Sequence, residues 1–172
     1  WPDGATSKHQ PSLASDEVIP GLKKLAERVH KHGARVIVQA CHHGRISGLD
    51  ISRDVPVLVP SLPIPSFDTL GMAHNTTNDE LMKMATLTGG KLPTFRAAST
   101  EELEEIIEAF VSAASRIKEA NLDGIEIHAA HGYLISTFLS RAWNRREDEW
   151  GGSIENRTRL LNKIVKKIRE KC

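Results

Sequence analysis

Two short apolar runs, each ending in a burst of polar side chains, constrain this chain more than anything else in it. Ala34-Arg35-Val36-Ile37-Val38-Gln39-Ala40 leads into Cys41-His42-His43-Gly44-Arg45, and Ile125-Glu126-Ile127-His128 leads into Ala129-Ala130-His131-Gly132-Tyr133. Both runs are too short for a helix and β-branched enough for strands buried on both faces, the kind found in parallel sheets. A helical pattern stands before each run. Ser15-Asp16-Glu17 opens the first, with Val18, Leu22, Leu25 and Val29 at helical spacing and Lys31, His32 and Gly33 at its end. Pro20 requires the regular helix to start near it, because proline fits only the first turn. Ser99 and Glu102 form a capping box before the second, and Leu103, Ile106, Ile107, Phe110, Ala114 and Ile117 line one face as far as about Ala120. A last helix is capped by Ser153 and carries the stripe Leu160, Leu161, Ile164 and Ile168. Strands alternating with helices predict an α/β fold, a parallel sheet with helical crossovers.

Residues 41–98 are rich in Pro, Gly, Ser, Thr and Asp without a sustained period, so they read as a long connection, with a short helix around 79–87. The 172 residues are one domain's worth of chain. With 40% hydrophobic and 26% charged residues, long disorder is excluded. No apolar stretch approaches the roughly 18 to 20 residues that cross a bilayer. The formal charge is +1 and no basic block interleaves with aromatics, which argues against nucleic-acid and membrane partners. Cys41 and Cys172 form no Cys-x-x-Cys pair, so neither a disulfide framework nor a zinc ribbon is indicated, and a reducing, cytoplasmic setting is expected. The sequence opens on Trp1-Pro2-Asp3-Gly4 and closes on a helical pattern at Cys172, as an excerpt of a longer polypeptide would.

In parallel α/β folds the reacting groups gather at the C-terminal ends of strands, where the loops converge. His128 ends a strand, and His131 follows one tight turn later, so two imidazoles can meet one small acceptor such as a carbonyl or phenolate oxygen. Tyr133 can offer a phenolic proton near the same place. On spacing alone three readings stand: an oxygen clamp with an acid beside it, histidines that tie down a loop, and a metal site. Gln39 can donate and accept at once, which suits the N–H and carbonyl edge of a heterocycle, although a lone strand-end glutamine is equally at home in a structural role. His42, His43 and Arg45 could bind an anion but in a Gly-containing turn read more readily as loop anchors. Cys41 reads as an ordinary half-buried thiol.

The segment Asp123-Gly124-Ile125-Glu126-Ile127-His128-Ala129-Ala130-His131-Gly132-Tyr133-Leu134-Ile135-Ser136-Thr137-Phe138-Leu139-Ser140 continues through Asn144, Arg146 and Asp148 to Trp150-Gly151-Gly152-Ser153-Ile154-Glu155-Asn156-Arg157. It resembles the central signature of the old yellow enzyme family of flavin oxidoreductases. The stretch from Val36 to Arg45 resembles that family's third strand, and Pro2-Asp3-Gly4, Ser15-Asp16-Glu17 and Val59-Pro60-Ser61 are similar to it as well. The resemblance implies a partial (β/α)8 TIM barrel, with residues 1–172 as the central part of a single FMN-binding domain, incomplete at both ends. It implies FMN, with Gln39 on the flavin ring, and NADH or NADPH as reductant. His128 and His131 would bind the substrate's activating oxygen and Tyr133 would protonate the substrate carbon, so that the C=C bond of an unsaturated carbonyl compound is reduced; no metal takes part at this site. An amine dehydrogenase or demethylase of the same family, or from another class a metal-dependent barrel hydrolase using the two histidines, is the alternative. Trp150 in the Glu149-Trp150-Gly151-Gly152 turn and the His-x-Gly-Arg-like stretch lean toward the dienoyl-CoA and enoate reductase branch. Larger members there often carry an iron-sulfur cluster, here expected in a C-terminal region outside this sequence. Residues 67–91 look longer than is usual in the family, an expected reshaping of the substrate lid. The isolated piece is expected to be inactive.

Overall fold

The structure, a computed structural model, describes residues 4, 5, 7–64 and 77–172. A 3-10 turn at Asp16–Val18 leads into α1, Ile19–His30. The helix starts where Pro20 allows, with the proline in the first turn, and Ser15 makes no side-chain capping bond. Strand β1, Ile37–Ala40, follows, and the chain then runs through α2 (Gly48–Ser52), β2 (Val57–Val59), α3 (Asn78–Thr88) and β3 (Phe95–Ala97). The long helix α4, Thr100–Glu119, begins at the expected capping box, with both the Ser99 and Glu102 side chains engaged. Strand β4, Gly124–Ile127, short α5, Leu134–Leu139, and α6, Ile154–Lys171, complete the order.

β1 and β4 pair in parallel with Val38 opposite Ile125 and Gln39 opposite Glu126, and α4 makes the crossover between them. This is the predicted β/α unit. β2 and β3 form a second parallel pair, Val57 opposite Phe95. Residues 41–98 are therefore not one irregular connection. Their two strands are three residues each, too short to show a period, and β2 is buried throughout, so no alternation marks it. The short helix expected near 79–87 is α3, with a Thr77–Glu80 capping box of its own. Residues 67–76 of the expected lid, and Pro2-Asp3, lie outside the described residues.

The core gathers Leu103, Ile106, Ile107 and Phe110 of α4, Leu134, Ile135 and Phe138 of α5, Leu160 and Ile164 of α6, and Trp150. Ile125 and Ile127 pack onto it from β4, and Val38 packs with Ile19, Ala26 and Ile117. Residues two apart on a strand share a face, so the other face carries Ile37, Gln39 and Glu126. That face is open: Ile37 is 62% exposed, and Gln39 and Glu126 are exposed as well. Within residues 1–172 the helices cover one face of this pair, and among the described residues nothing covers the other.

The loop after α5 is a hydrogen-bonded knot. Asn144 Nδ2 donates to the carbonyls of Phe138 and Trp150 at 2.8 Å each. Arg146 pairs with Asp148 and donates to the Ala98 carbonyl at 2.6 Å and the Pro60 carbonyl at 3.4 Å, tying the ends of β2 and β3 to this loop. Arg157 reaches the Leu139 and Gly152 carbonyls. A Cβ on Gly151 would stand 2.3 Å from the Arg146 carbonyl oxygen. These residues of the signature hold the loop in shape rather than presenting groups for chemistry.

Candidate active site

Two loops carry the polar clusters, and the fold clamps them together. The His42 carbonyl accepts from Leu134 N–H at 3.0 Å, and a Cβ on Gly44, at φ +54°, would meet the Leu134 backbone at 3.0 Å. Only glycine allows this approach comfortably. At the strand ends His128 N–H donates to the Ala40 carbonyl at 3.0 Å, continuing the β1–β4 ladder into the site.

His128, His131 and Tyr133 come together. Their rings stand 5.0 Å apart for His128 and His131, 4.5 Å for His128 and Tyr133, and 6.2 Å for His131 and Tyr133, centroid to centroid. His131 takes φ +55°, a left-handed conformation unusual for a side chain of its size, and Gly132 follows at φ +69°. This double left-handed turn swings His131 back over His128. The hydrogen bonds fix the tautomers of the neutral rings. Ala130 N–H donates to His128 Nδ1 at 3.2 Å, so the His128 proton sits on Nε2, which is 3.2 Å from His131 Nδ1. His131 then carries its proton on Nε2, pointing away from His128. His128 is buried and its pKa is lowered, first by that burial and then by charge on His131 and His43, with Glu126 acting the other way. It stays a neutral donor at pH 7. His131 is exposed and Tyr133 half-buried, so the pair opens outward.

Gln39 lies on the open sheet face, and alternation from Glu126 puts His128 on that face too. Its Nε2 donates to Glu126 Oε1 at 2.8 Å. Glu126 thereby has a polar partner on the adjacent strand, in Gln39 itself. The second amide hydrogen and the carbonyl oxygen of Gln39 remain for the edge of a heterocycle, so this donor set fits a flavin ring. His42 is the loop anchor that the sequence suggested. Its Nδ1 accepts from Gly44 N–H at 3.0 Å, and burial followed by charge on His43 pulls its pKa down to about 3. Arg45 lies over the Trp143 ring at 4.5 Å and beside Gly132, so it too braces the loop. Cys41 is half-buried, and its thiol pKa is raised by burial. His43 was grouped with the anchors, yet its ring stands 4.4 Å from that of Tyr133. No local spacing could have signalled a contact made between two loops. Among the described residues no three His, Cys, Asp or Glu side chains are arranged to hold a metal ion, and no helix is long and apolar enough to cross a membrane.

Parallel strands joined by a helical crossover, with imidazoles and a phenol gathered where a strand ends, are the construction of a β/α-barrel enzyme. A family model described as the NADH:flavin oxidoreductase / NADH oxidase family matches residues 1–172. The chain is 40% identical to an NADPH dehydrogenase of Halalkalibacterium halodurans over 97% of its own length and 41% of that protein. It is 38% identical to an NADH oxidase of Thermoanaerobacter brockii, over 99% of this chain and 23% of the other. Among solved structures, Old Yellow Enzyme from Pichia sp. AKU4542 superposes with a TM-score of 0.76 at 31% identity, covering 99% of this chain and 41% of that one. Morphinone reductase in complex with tetrahydroNAD gives 0.77 at 31% identity, covering 99% and 45%. The chain belongs to the NADH:flavin oxidoreductase / NADH oxidase family, that of the old yellow enzymes, and its fold is part of a (β/α)8 barrel. It spans about two fifths of the length of the NADPH dehydrogenases it matches.

Proposed function

We propose that residues 1–172 are the central part of a single FMN-binding barrel domain whose whole protein uses NADH or NADPH to reduce the C=C bond of an unsaturated carbonyl compound. The observation that carries this reading is the convergence of two imidazole donors and one phenol at the end of β4, on the sheet face that also presents Gln39. Gln39 would hold the flavin ring, and residues outside 1–172 its phosphate. When bound, FMN supplies hydride chemistry between a reduced nicotinamide and an electron-poor carbon.

The chain's own residues do the rest. A carbonyl oxygen entering above His128 displaces His131 Nδ1 from the Nε2–H of His128, and rotation of the freed His131 ring brings its own N–H round as the second donor. Both bonds strengthen as negative charge builds on that oxygen, which lowers the barrier. Tyr133, against the His128 ring, gives its proton to the substrate carbon beside the carbonyl. Burial of His128 keeps water from taking its donor. We place the iron-sulfur cluster suggested by the branch resemblance in sequence beyond these residues, and a cytoplasmic setting accords with the thiol chemistry of Cys41.

The test is substitution of the clamp in the full-length holoprotein. His128→Ala or His131→Ala should weaken binding of a cyclic enone and slow its reduction by about 100-fold or more, the scale of losing one oxyanion donor, while reduction by the nicotinamide proceeds. Unchanged enone affinity and rate in both variants would remove the clamp from the reading.

A further inference from the structure

We propose that His43 is a positioning residue for Tyr133, fixing the phenol against His128; this rests on the reading of Tyr133 as the proton donor. The Tyr133 ring packs against two imidazoles, His43 at 4.4 Å and 53° and His128 at 4.5 Å and 52°. One comes from the loop after β1 and the other from the end of β4, so the phenol is held by ring contacts from both loops.

His43 is itself pinned. Its Nδ1 lies 2.8 Å from the Gly4 carbonyl oxygen, and its backbone N–H donates to that same oxygen at 2.9 Å. A carbonyl can only accept, so the His43 proton is on Nδ1, and among the described residues Nε2 faces no donor nearer than Cys41 Sγ at 3.9 Å. His43 is 5% exposed. Burying an imidazole costs free energy that an apolar side chain would not. His42 anchors this loop through Gly44 N–H and Leu134 N–H. Beyond its own bond to the Gly4 carbonyl, what His43 adds is the ring contact with Tyr133. A tyrosine keeps two free side-chain torsions at a helix start, and Tyr133 begins α5 without a side-chain capping bond. Flanking rings remove that freedom before substrate arrives, which matters because a proton donor displaced by about 1 Å can lose roughly 100-fold in rate.

Three variants of the full-length holoprotein separate this role from simple packing. His43→Ala removes ring and donor, His43→Phe keeps a flanking ring, and His43→Asn keeps a donor for the Gly4 carbonyl without the ring. We expect His43→Ala to slow the oxidative half-reaction with a cyclic enone by about 10 to 100-fold. His43→Phe should recover most of that loss and His43→Asn little of it. FMN content, reduction by the nicotinamide, and the Kd for a saturated cyclic ketone should stay within about twofold, the margin for independent sites. In a Tyr133→Phe background, His43→Ala should add no further loss. An equal loss with and without Tyr133, no loss at all, or loss of FMN in all three variants overturns the positioning role while leaving Tyr133 as the acid. A Tyr133→Phe protein that reduces enone at the original rate overturns both.

Discussion

Gly132 shows how closely single residues shape the site. At φ +69°, a methyl group there would stand 2.8 Å from Arg45 Nη2, whose guanidinium is packed over Trp143. Gly132→Ala should cost about 1 to 3 kcal/mol, read as a fall in Tm of the holoprotein, because backbone strain and displacement of Arg45 act together. His42 sets an acid limit. Its folded pKa of about 3 lies below the ordinary value near 6.5, so the unfolded chain binds the extra proton between those pH values. Its contribution is fully present above about pH 6.5 and is lost progressively as pH falls toward 3. His42→Asn keeps an acceptor for Gly44 N–H but does not titrate, so the Tm of that variant should fall less steeply with acid; an unchanged slope would show that His42 is not the group responsible. The grouping of His128, His131 and Tyr133 was legible in sequence because the six positions after a strand hold them all. The Gln39–Glu126 bond and the His43–Tyr133 contact were not, since each joins positions about 90 apart and needs the strand register or the loop clamp to exist.

At the level of elements, the helices were the legible part. The capping boxes and apolar stripes are local, and α4 and α6 begin where Ser99 and Ser153 predict. Ser99→Ala should destabilise by about 1 kcal/mol, as N-cap losses do. β2 and β3 were missed for a physical reason: three-residue strands are specified by what packs over them, not by their own pattern. Arg146 is part of that tertiary hold, binding the Ala98 and Pro60 carbonyls from the far loop. Arg146→Met keeps the stem but strands those acceptors and Asp148, and should cost about 2 kcal/mol. Hydrogen exchange should then rise in residues 57–60 and 95–98 more than in α4. Uniform loss of protection would contradict a local tie.

At the scale of residues 1–172, the β1–β4 pair has one helix-covered face and one open face, with free pairing edges among the described residues. Open edges and uncovered apolar surface favour association. The polypeptide 1–172 by itself should therefore run as aggregate or partly ordered chain on gel filtration and retain little flavin absorbance. Stoichiometric FMN carried through the column would show that these residues complete the cofactor site alone. The central claim concerns chemistry, and Tyr133→Phe in the full-length holoprotein reaches it most directly, because it removes one hydroxyl and leaves the ring against His43 and His128. Stopped-flow absorbance separates reduction of the flavin by nicotinamide from its oxidation by an enone. The account predicts an unchanged first half-reaction and a second slowed by about 100 to 10,000-fold, the range for a lost general acid; equal slowing of both halves, or of neither, would contradict it.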